Sequence, residues 1–179
     1  MSSNNIYTPV LLTDKIHVEF WKVNSTIFNL LEESIKNKVE GVCINEGFVK
    51  PDSVKLVSHS SGELSADFVV FHIVYQCMVA NTAESMEIDC VVKSITKVGI
   101  RAEIDDVVSP FVIFIARDHH FENEAYSEVK ENDNVKIRVI GQRYELNNKF
   151  ISVIGEFLEV NQYNTTKAEL DDTESLNVE

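Results

Sequence analysis

Residues 86–157 constrain the fold of this chain most, because they form a series of short segments in which apolar and polar residues alternate. Such alternation is typical of β-strands with one buried face. Residues 87–104 hold two of these strands around Gly99, and residues 134–141 and 149–155 supply two returning strands. The pattern predicts a small closed β-barrel.

The order of elements within this stretch indicates the type of barrel. A strand, a glycine hinge and a second strand are typical of the opening of an OB-fold. An apolar strand follows at 111–116, and the polar segment 122–133, for which we expect a helical turn, would connect the third strand to the fourth. Residues 142–149 would form the last hairpin loop, where two asparagines can adopt positive φ.

The residues before the barrel predict a separate α+β module. Residues 7–12 are a short apolar segment, residues 15–21 alternate as in a strand, and a helix is expected from Asn24 or Ser25 to Glu40. Its apolar residues recur at helical spacing, so one stripe should pack on a sheet: Ile27, Leu30, Leu31, Ile35 and Val39. Gly41 would end the helix.

Further strands are expected after the helix. They would begin at Val42 and cover 54–57 and 66–79, with turns over 46–53 and 59–63. One helix against a small antiparallel sheet is an α+β arrangement.

Changes in composition indicate the domain boundaries. Residues 80–85 are polar and lack apolar periodicity, and the residues after Val160 are rich in Asp and Glu. We therefore expect a first domain over residues 1–82, a barrel over 83–160 and a disordered acidic tail over 161–179.

The overall charge limits the kind of partner. The 179 residues carry a formal net charge of -13, which argues against a non-specific grip on nucleic acid. Neither a membrane span nor a secretory signal is expected. The three cysteines are widely spaced, so we expect buried thiols in a reducing compartment rather than disulfides or a zinc site.

No known catalytic motif is present. The sequence lacks a P-loop, a dinucleotide-binding fingerprint and a nucleophile elbow. His119 and His120 are adjacent and would point apart, so a metal site is not expected there. The chain is accordingly predicted to have no catalytic residue, metal or cofactor.

RNA contact is the most specific binding hypothesis. OB-folds bind single strands with basic and aromatic residues on the face of strands two and three. Aliphatic residues flank Gly99, where many RNA-binding barrels carry aromatics, so a weak contact through the RNA backbone is expected. A purely architectural barrel remains the alternative. The candidates for RNA contact are Lys93, Lys97, Arg101, Arg117, His119, Arg143, Tyr144 and Lys149.

Several segments in order resemble the larger stalk subunit of multisubunit RNA polymerases, that is, the seventh subunit of eukaryotic polymerase II and the archaeal E-prime subunit. The resemblance covers residues 8–160. The segments that carry it are 39–43 (VEGVC), 47–49 (GFV), 75–79 (YQCMV), 87–103, 114–119 (FIARDH), 134–141 (NVKIRVIG) and 151–155 (ISVIG). The compact, Asn- and Lys-rich chain is similar to versions encoded by large cytoplasmic DNA viruses.

The resemblance implies an N-terminal ribonucleoprotein-like tip domain, which docks on the polymerase core near the clamp, and a C-terminal S1-type OB barrel near emerging RNA. It places Gly47, Phe48 and Val49 in a tip loop that contacts the core. It implies core subunits, a small second stalk subunit and nascent single-stranded RNA as partners. The location would be with the transcription machinery, in the nucleus or in a cytoplasmic virus factory and virion.

The resemblance departs from the family in two places. The connection over 122–133 is short for the eukaryotic version, and the acidic tail has no counterpart. The alternative functions are a free-standing single-strand RNA-binding OB-fold protein and a small hydrolase or nuclease. The first should be basic and aromatic-rich on its barrel, and no residue constellation supports the second.

Overall fold

The computed structural model describes residues 6–105, 108–120 and 123–161. The described chain is mostly β-structure, with eleven strands and two α-helices. Its contacts divide it into two compact units. The first comprises the described residues up to Thr82 together with Gln142–Ser152, and the second comprises Ala83–Gly141 together with the described residues from Val153 on.

The first unit contains one antiparallel sheet and one helix. The central strand β6 pairs with β1 along its whole length on one side and with β3, β4 and β5 on the other, while β2 pairs with β3. The elements in chain order are β1 (Tyr7–Glu19), α1 (Ile27–Val39), β2 (Cys43–Ile44), β3 (Gly47–Val49), β4 (Lys55–His59), β5 (Glu63–Ser65) and β6 (Phe68–Ala80).

Helix α1 covers one face of this sheet, as its apolar stripe predicts. Leu31 and Ile35 are fully buried, in one core with Ile16 of β1 and Ile73 of β6. The Asn24 side chain accepts hydrogen bonds from the Thr26 amide and hydroxyl and so orders the chain before the helix. Gly41, at φ +71°, follows its end, so the expected helix is confirmed.

Two local expectations in this unit are wrong. The strand expected over residues 15–21 is the end of a longer strand β1, Tyr7–Glu19, because β6 pairs with every residue of it, including Thr13 with Val74. Residues 47–49 form strand β3 instead of a turn. Gly47 is needed there, since its φ is +137° and a Cβ would lie 2.3 Å from the Ala80 carbonyl oxygen.

The segment Gln142–Ser152 belongs to the first unit through specific hydrogen bonds. The Cys43 amide donates to the Asn148 carbonyl (2.7 Å), and the Asn147 amide donates back to the Cys43 carbonyl (2.9 Å). The Gln142 amide nitrogen donates to the Thr82 carbonyl (2.9 Å), and the Thr82 hydroxyl donates to Gln142 Oε1 (2.7 Å). These bonds place Asn147 and Asn148 beside the short strand β2.

The second unit confirms the predicted closed barrel. Its five strands pair in the order β10-β11-β9-β8-β7, and the sheet closes because β10 also pairs with β7. This order is consistent with an OB-fold barrel. The elements are β7 (Glu87–Ile95), β8 (Gly99–Glu103), β9 (Phe111–Ala116), α2 (Glu124–Glu128), β10 (Asn134–Arg143) and β11 (Ile151–Asn161).

A buried histidine links two strands of the barrel beside α2. This helix is the helical turn expected within the polar segment 122–133. His120 Nδ1 lies 2.8 Å from the Ala116 carbonyl oxygen, and Nε2 accepts a hydrogen bond of 2.9 Å from the Phe157 amide. Its ring stacks on Tyr126 of α2, whose hydroxyl donates to the Ile115 carbonyl. Both ring nitrogens are thus used for structure, which explains why His120 is buried.

The expected acidic tail, residues 161–179, lies outside the described residues, except for Asn161 at the end of β11.

Candidate functional site

The outer face of β8 and β9 presents an arginine and a phenylalanine side by side. Ile100 and Ala102 point into the barrel, so Arg101 between them points outward. Phe114 lies between the buried Ile113 and Ile115, and it pairs directly with Arg101 across the two strands. Phe114 keeps 38% of its surface exposed. Many proteins that bind single-stranded nucleic acid combine aromatic side chains with cations in this way.

Gly99 makes room for the Phe114 ring. A Cβ at this position would lie 2.8 Å from Phe114 Cζ and 2.3 Å from the Ile115 carbonyl oxygen. The glycine predicted as a hinge is therefore required by the close approach of β9 and its aromatic side chain.

The turn between β7 and β8 brings further cations to one end of this face. The Thr96 hydroxyl donates to the Gly99 carbonyl (2.8 Å), which closes the turn, and Lys97 is exposed within it. The Arg117 amide donates to the Val98 carbonyl (3.0 Å), so the chain after β9 lies against the same turn. Lys97 and Arg117 therefore flank the end of the Arg101 and Phe114 face.

The basic residues on this side of the barrel have fewer carboxylate partners than the basic residues of β10. On β10, Arg138 pairs with Glu156 and Glu87, and Lys136 pairs with Glu159. Within the described part of the chain, Lys93, Lys97 and Arg117 have no carboxylate within 4.0 Å, whereas Arg101 pairs with Glu103 at 2.9 Å. The cations near Gly99 are thus the ones best able to meet a phosphate backbone.

The eight residues predicted for RNA contact fall into two groups. Five lie on the barrel unit, all of them exposed: Lys93, Lys97, Arg101, Arg117 and His119. Arg143, Tyr144 and Lys149 belong to the first unit. Tyr144 is half-buried, and its hydroxyl donates to the Asn45 carbonyl (3.0 Å); burial raises its pKa, and the nearby Cys43 and Glu46 act in the same direction.

The three residues predicted to contact a polymerase core are buried. Phe48 and Val49 are fully buried in β3, and Gly47 lies against β6. Val49 belongs to the core of the first unit. A partner at this place would meet exposed neighbours such as Glu46 and Lys50. The resemblance that suggested docking here implied a loop, and the structure has strand β3 at these residues.

The first unit has a different exposed feature that the sequence prediction missed. At the end of β1, Phe20 and Trp21 lie in a 3-10 turn with 62% and 71% of their surface exposed, and Leu64 and Phe68 are exposed on the adjoining strands. The Phe20 amide donates to the Asp67 carbonyl (3.1 Å), which holds the turn against the start of β6. We name these four residues the aromatic end.

The aromatic end leaves a large apolar area exposed. From typical side-chain areas, its four residues together leave roughly 500 Å² accessible to water. Exposed tryptophan is enriched among the residues that dominate binding energy. Two adjacent aromatics at the end of an alternating strand were the sequence signal.

Residues 6–105, 108–120 and 123–161 contain no cluster of three or more His, Cys, Asp or Glu residues suited to a metal ion. Within these ranges, no helix has the length and apolar character needed to cross a membrane.

No protein-family model matches the chain. The chain is 22% identical over 172 residues to a protein of Acanthamoeba polyphaga mimivirus that bears the name of a proposed DNA-directed RNA polymerase subunit. The aligned region covers 89% of this chain and 86% of that protein. The similarity therefore extends over both units and over nearly the whole of the viral protein.

Proposed function

We propose that this chain is a non-catalytic subunit of a DNA-dependent RNA polymerase of a large DNA virus. The observation that carries the proposal is the similarity to the mimivirus protein over most of both chains. Because the alignment includes the first unit as well as the barrel, it supports a common role for the whole chain. The subunit would work wherever that transcription machinery is located.

Within such an enzyme, we propose the position of a stalk subunit. The first unit would be the ribonucleoprotein-like tip domain that docks near the clamp, and the second would be the S1-type OB barrel. Support comes from the closed five-stranded barrel and from the helix-on-sheet unit before it. A second small stalk subunit would be a further partner.

The aromatic end is the proposed contact with the polymerase core. We propose it in addition to Gly47, Phe48 and Val49, because its side chains are exposed while Phe48 and Val49 are fully buried. Burying Trp21 and Phe20 against a partner would remove a large apolar surface from water. Residues of this kind commonly contribute about 2 kcal/mol or more to binding.

The test is purification of the tagged full-length chain from its native source. We expect the large polymerase subunits to copurify, and their absence would refute the proposed function. A Trp21→Ala variant should retain about tenfold less of the core, whereas Leu11→Ala, which removes another exposed apolar side chain of β1, should retain it normally. Equal retention by the two variants would exclude the aromatic end as the contact.

For RNA, we propose that nascent transcript passes over the Arg101 and Phe114 face. Stacking on an aromatic side chain contributes roughly 1–3 kcal/mol per base. Phe114→Ala should therefore lower crosslinking to nascent transcript about fivefold or more, and alanine at Lys93, Lys97 and Arg117 should lower it further. Ile140→Ala, which changes an exposed residue of β10, is the matched control, and unchanged crosslinking in all variants would leave the barrel architectural.

A free-standing single-strand RNA-binding protein is the alternative, and the exposed Phe114 beside Arg101 favours it. The purification distinguishes the two functions. A chain that binds RNA through Phe114 but recovers no polymerase subunit would support the alternative.

A further inference from the structure

A second surface of the first unit contains a cavity of about 400 Å³. One wall is the segment of β1 around Leu12, and another is the end of α1 at Val39. Ile44 of β2 and Leu146 of the segment 142–152 complete the apolar walls. Leu146 is 62% exposed, so an apolar rim lies open at the surface.

Tyr75 of β6 lines this cavity and is largely buried. Its side chain is buried, with only 4% of the residue exposed. Among the residues that the structure describes, none forms a hydrogen bond with its hydroxyl, and this hydroxyl is not sealed from solvent. A buried phenol usually finds a partner, so the Tyr75 hydroxyl is available to a ligand that enters this cavity.

The charges around the cavity favour a cation. Lys38 is already neutralised by Asp14, with Nζ 2.5 Å from Oδ2. In the described part of the chain, the carboxylate of Glu46 has no salt bridge within 4.0 Å. Burial raises the pKa of Tyr75 to about 12, and the negative charges of Asp14 and Glu46 act in the same direction. Tyr75 thus remains a neutral hydroxyl in a negative environment.

We infer that this cavity binds an arginine side chain of a partner polypeptide. The apolar walls suit the methylene stem of arginine, which packs on apolar surface while its head remains polar. The Tyr75 hydroxyl and the Glu46 carboxylate are acceptors for the several N–H donors of a guanidinium. This surface is separate from the aromatic end and does not depend on the proposed polymerase role.

The test uses the full-length, isotopically labelled chain and two short peptides, acetyl-Leu-Arg-Leu-amide and acetyl-Leu-Cit-Leu-amide. Citrulline has nearly the shape of arginine but no charge, so the pair isolates the electrostatic contribution. Titration followed by NMR should give saturable shifts at the Tyr75 ring and at the methyl groups of Ile44 and Leu146. The arginine peptide should bind about tenfold more tightly than the citrulline peptide.

Variants assign the effect to the cavity. Glu46→Gln should reduce the affinity for the arginine peptide about tenfold and leave that for the citrulline peptide unchanged. Tyr75→Phe should weaken the arginine peptide by a smaller factor, since only the hydroxyl is lost. Glu63→Gln, on the exposed strand β5, should have no effect. Equal binding of the two peptides, shifts confined to other residues, or no saturable shift would each overturn the inference.

Discussion

Replacing Gly99 with alanine tests whether the close approach of β8 and β9 requires this glycine. The added methyl would lie 2.3 Å from the Ile115 carbonyl oxygen and 2.8 Å from Phe114 Cζ. In real proteins a Cβ essentially never lies closer than 3.0 Å to a heavy atom outside its own residue and its two chain neighbours. The Ile115 oxygen belongs to the backbone, so it cannot move aside as a flexible side chain could. The two strands must therefore move apart, or Phe114 must leave its position.

The expected loss of stability in Gly99→Ala depends on which atom the new methyl group displaces. Inserting a methyl group into a well-packed region usually costs about 1–3 kcal/mol, and a contact with backbone places Gly99→Ala at the upper end of that range. Gly141→Ala is the matched control, because Gly141 also lies in a barrel strand and a Cβ added there would have no other atom within 4 Å. That variant should change the free energy of unfolding by no more than about 0.5 kcal/mol.

The assay is chemical denaturation followed by two signals. Far-ultraviolet circular dichroism reports both units, whereas the fluorescence of Trp21, the sole tryptophan of the chain, reports the first. We expect Gly99→Ala to lower the midpoint of the barrel transition and to leave the tryptophan transition less affected. If Gly99→Ala and Gly141→Ala unfold at the same denaturant concentration, the reasoning from the close approach is wrong.

Three further predictions test the fold and its electrostatics. Phe48→Ala should destabilise the first unit by about 3–5 kcal/mol in urea denaturation, because the side chain is fully buried, and Phe20→Ala should cost less than about 0.5 kcal/mol. Burial raises the pKa of Cys43 and Cys77 to about 11 and that of Cys90 to about 12, so a thiol reagent near neutral pH should react with all three only after unfolding; rapid reaction of the native chain would contradict this. The hydrogen bond from Lys36 holds the pKa of Glu32 below its ordinary 4.5, so its stabilisation is complete above that pH and is lost as the pH falls through the lowered value. Urea midpoints between about pH 6 and pH 3 should therefore fall less steeply in Glu32→Gln than in the exposed control Glu33→Gln, and parallel curves would exclude this contribution.

The sequence by itself determined the secondary structure wherever a periodic pattern was strong. The stripe from Ile27 to Val39 is set by helical geometry, so α1 follows from local spacing. The barrel strands follow for the same reason, since alternate burial of Ile113 and Ile115 is a local property of a strand. The closed barrel was predictable because the strands succeed one another in the order of an OB-fold, with a longer connection that holds α2 between β9 and β10.

Tertiary pairing decided the features that local spacing does not encode. The strand β3 forms because Phe48 and Val49 pair with β6, a long-range contact that the sequence does not reveal, so sequence alone predicted a turn. At Gly47 the neighbouring strand leaves no room for a Cβ. The residue opposite Arg101 on the neighbouring strand is Phe114, well beyond it along the chain, because β9 pairs with β8 in this register. The aromatic beside the cation was therefore present in the sequence but could not be located without that register.

The same reason explains why the burial of Phe48 and the exposure of Trp21 could not be predicted from the sequence. Phe48 and Trp21 are both aromatic, and residue type alone cannot tell which of them is buried inside the protein. Pairing of β3 with β6 buries Phe48, whereas Trp21 follows the last paired residue of β1 and remains exposed. Local periodicity determined which segments are helices and strands, and contacts between distant segments decided which side chains are left for a partner.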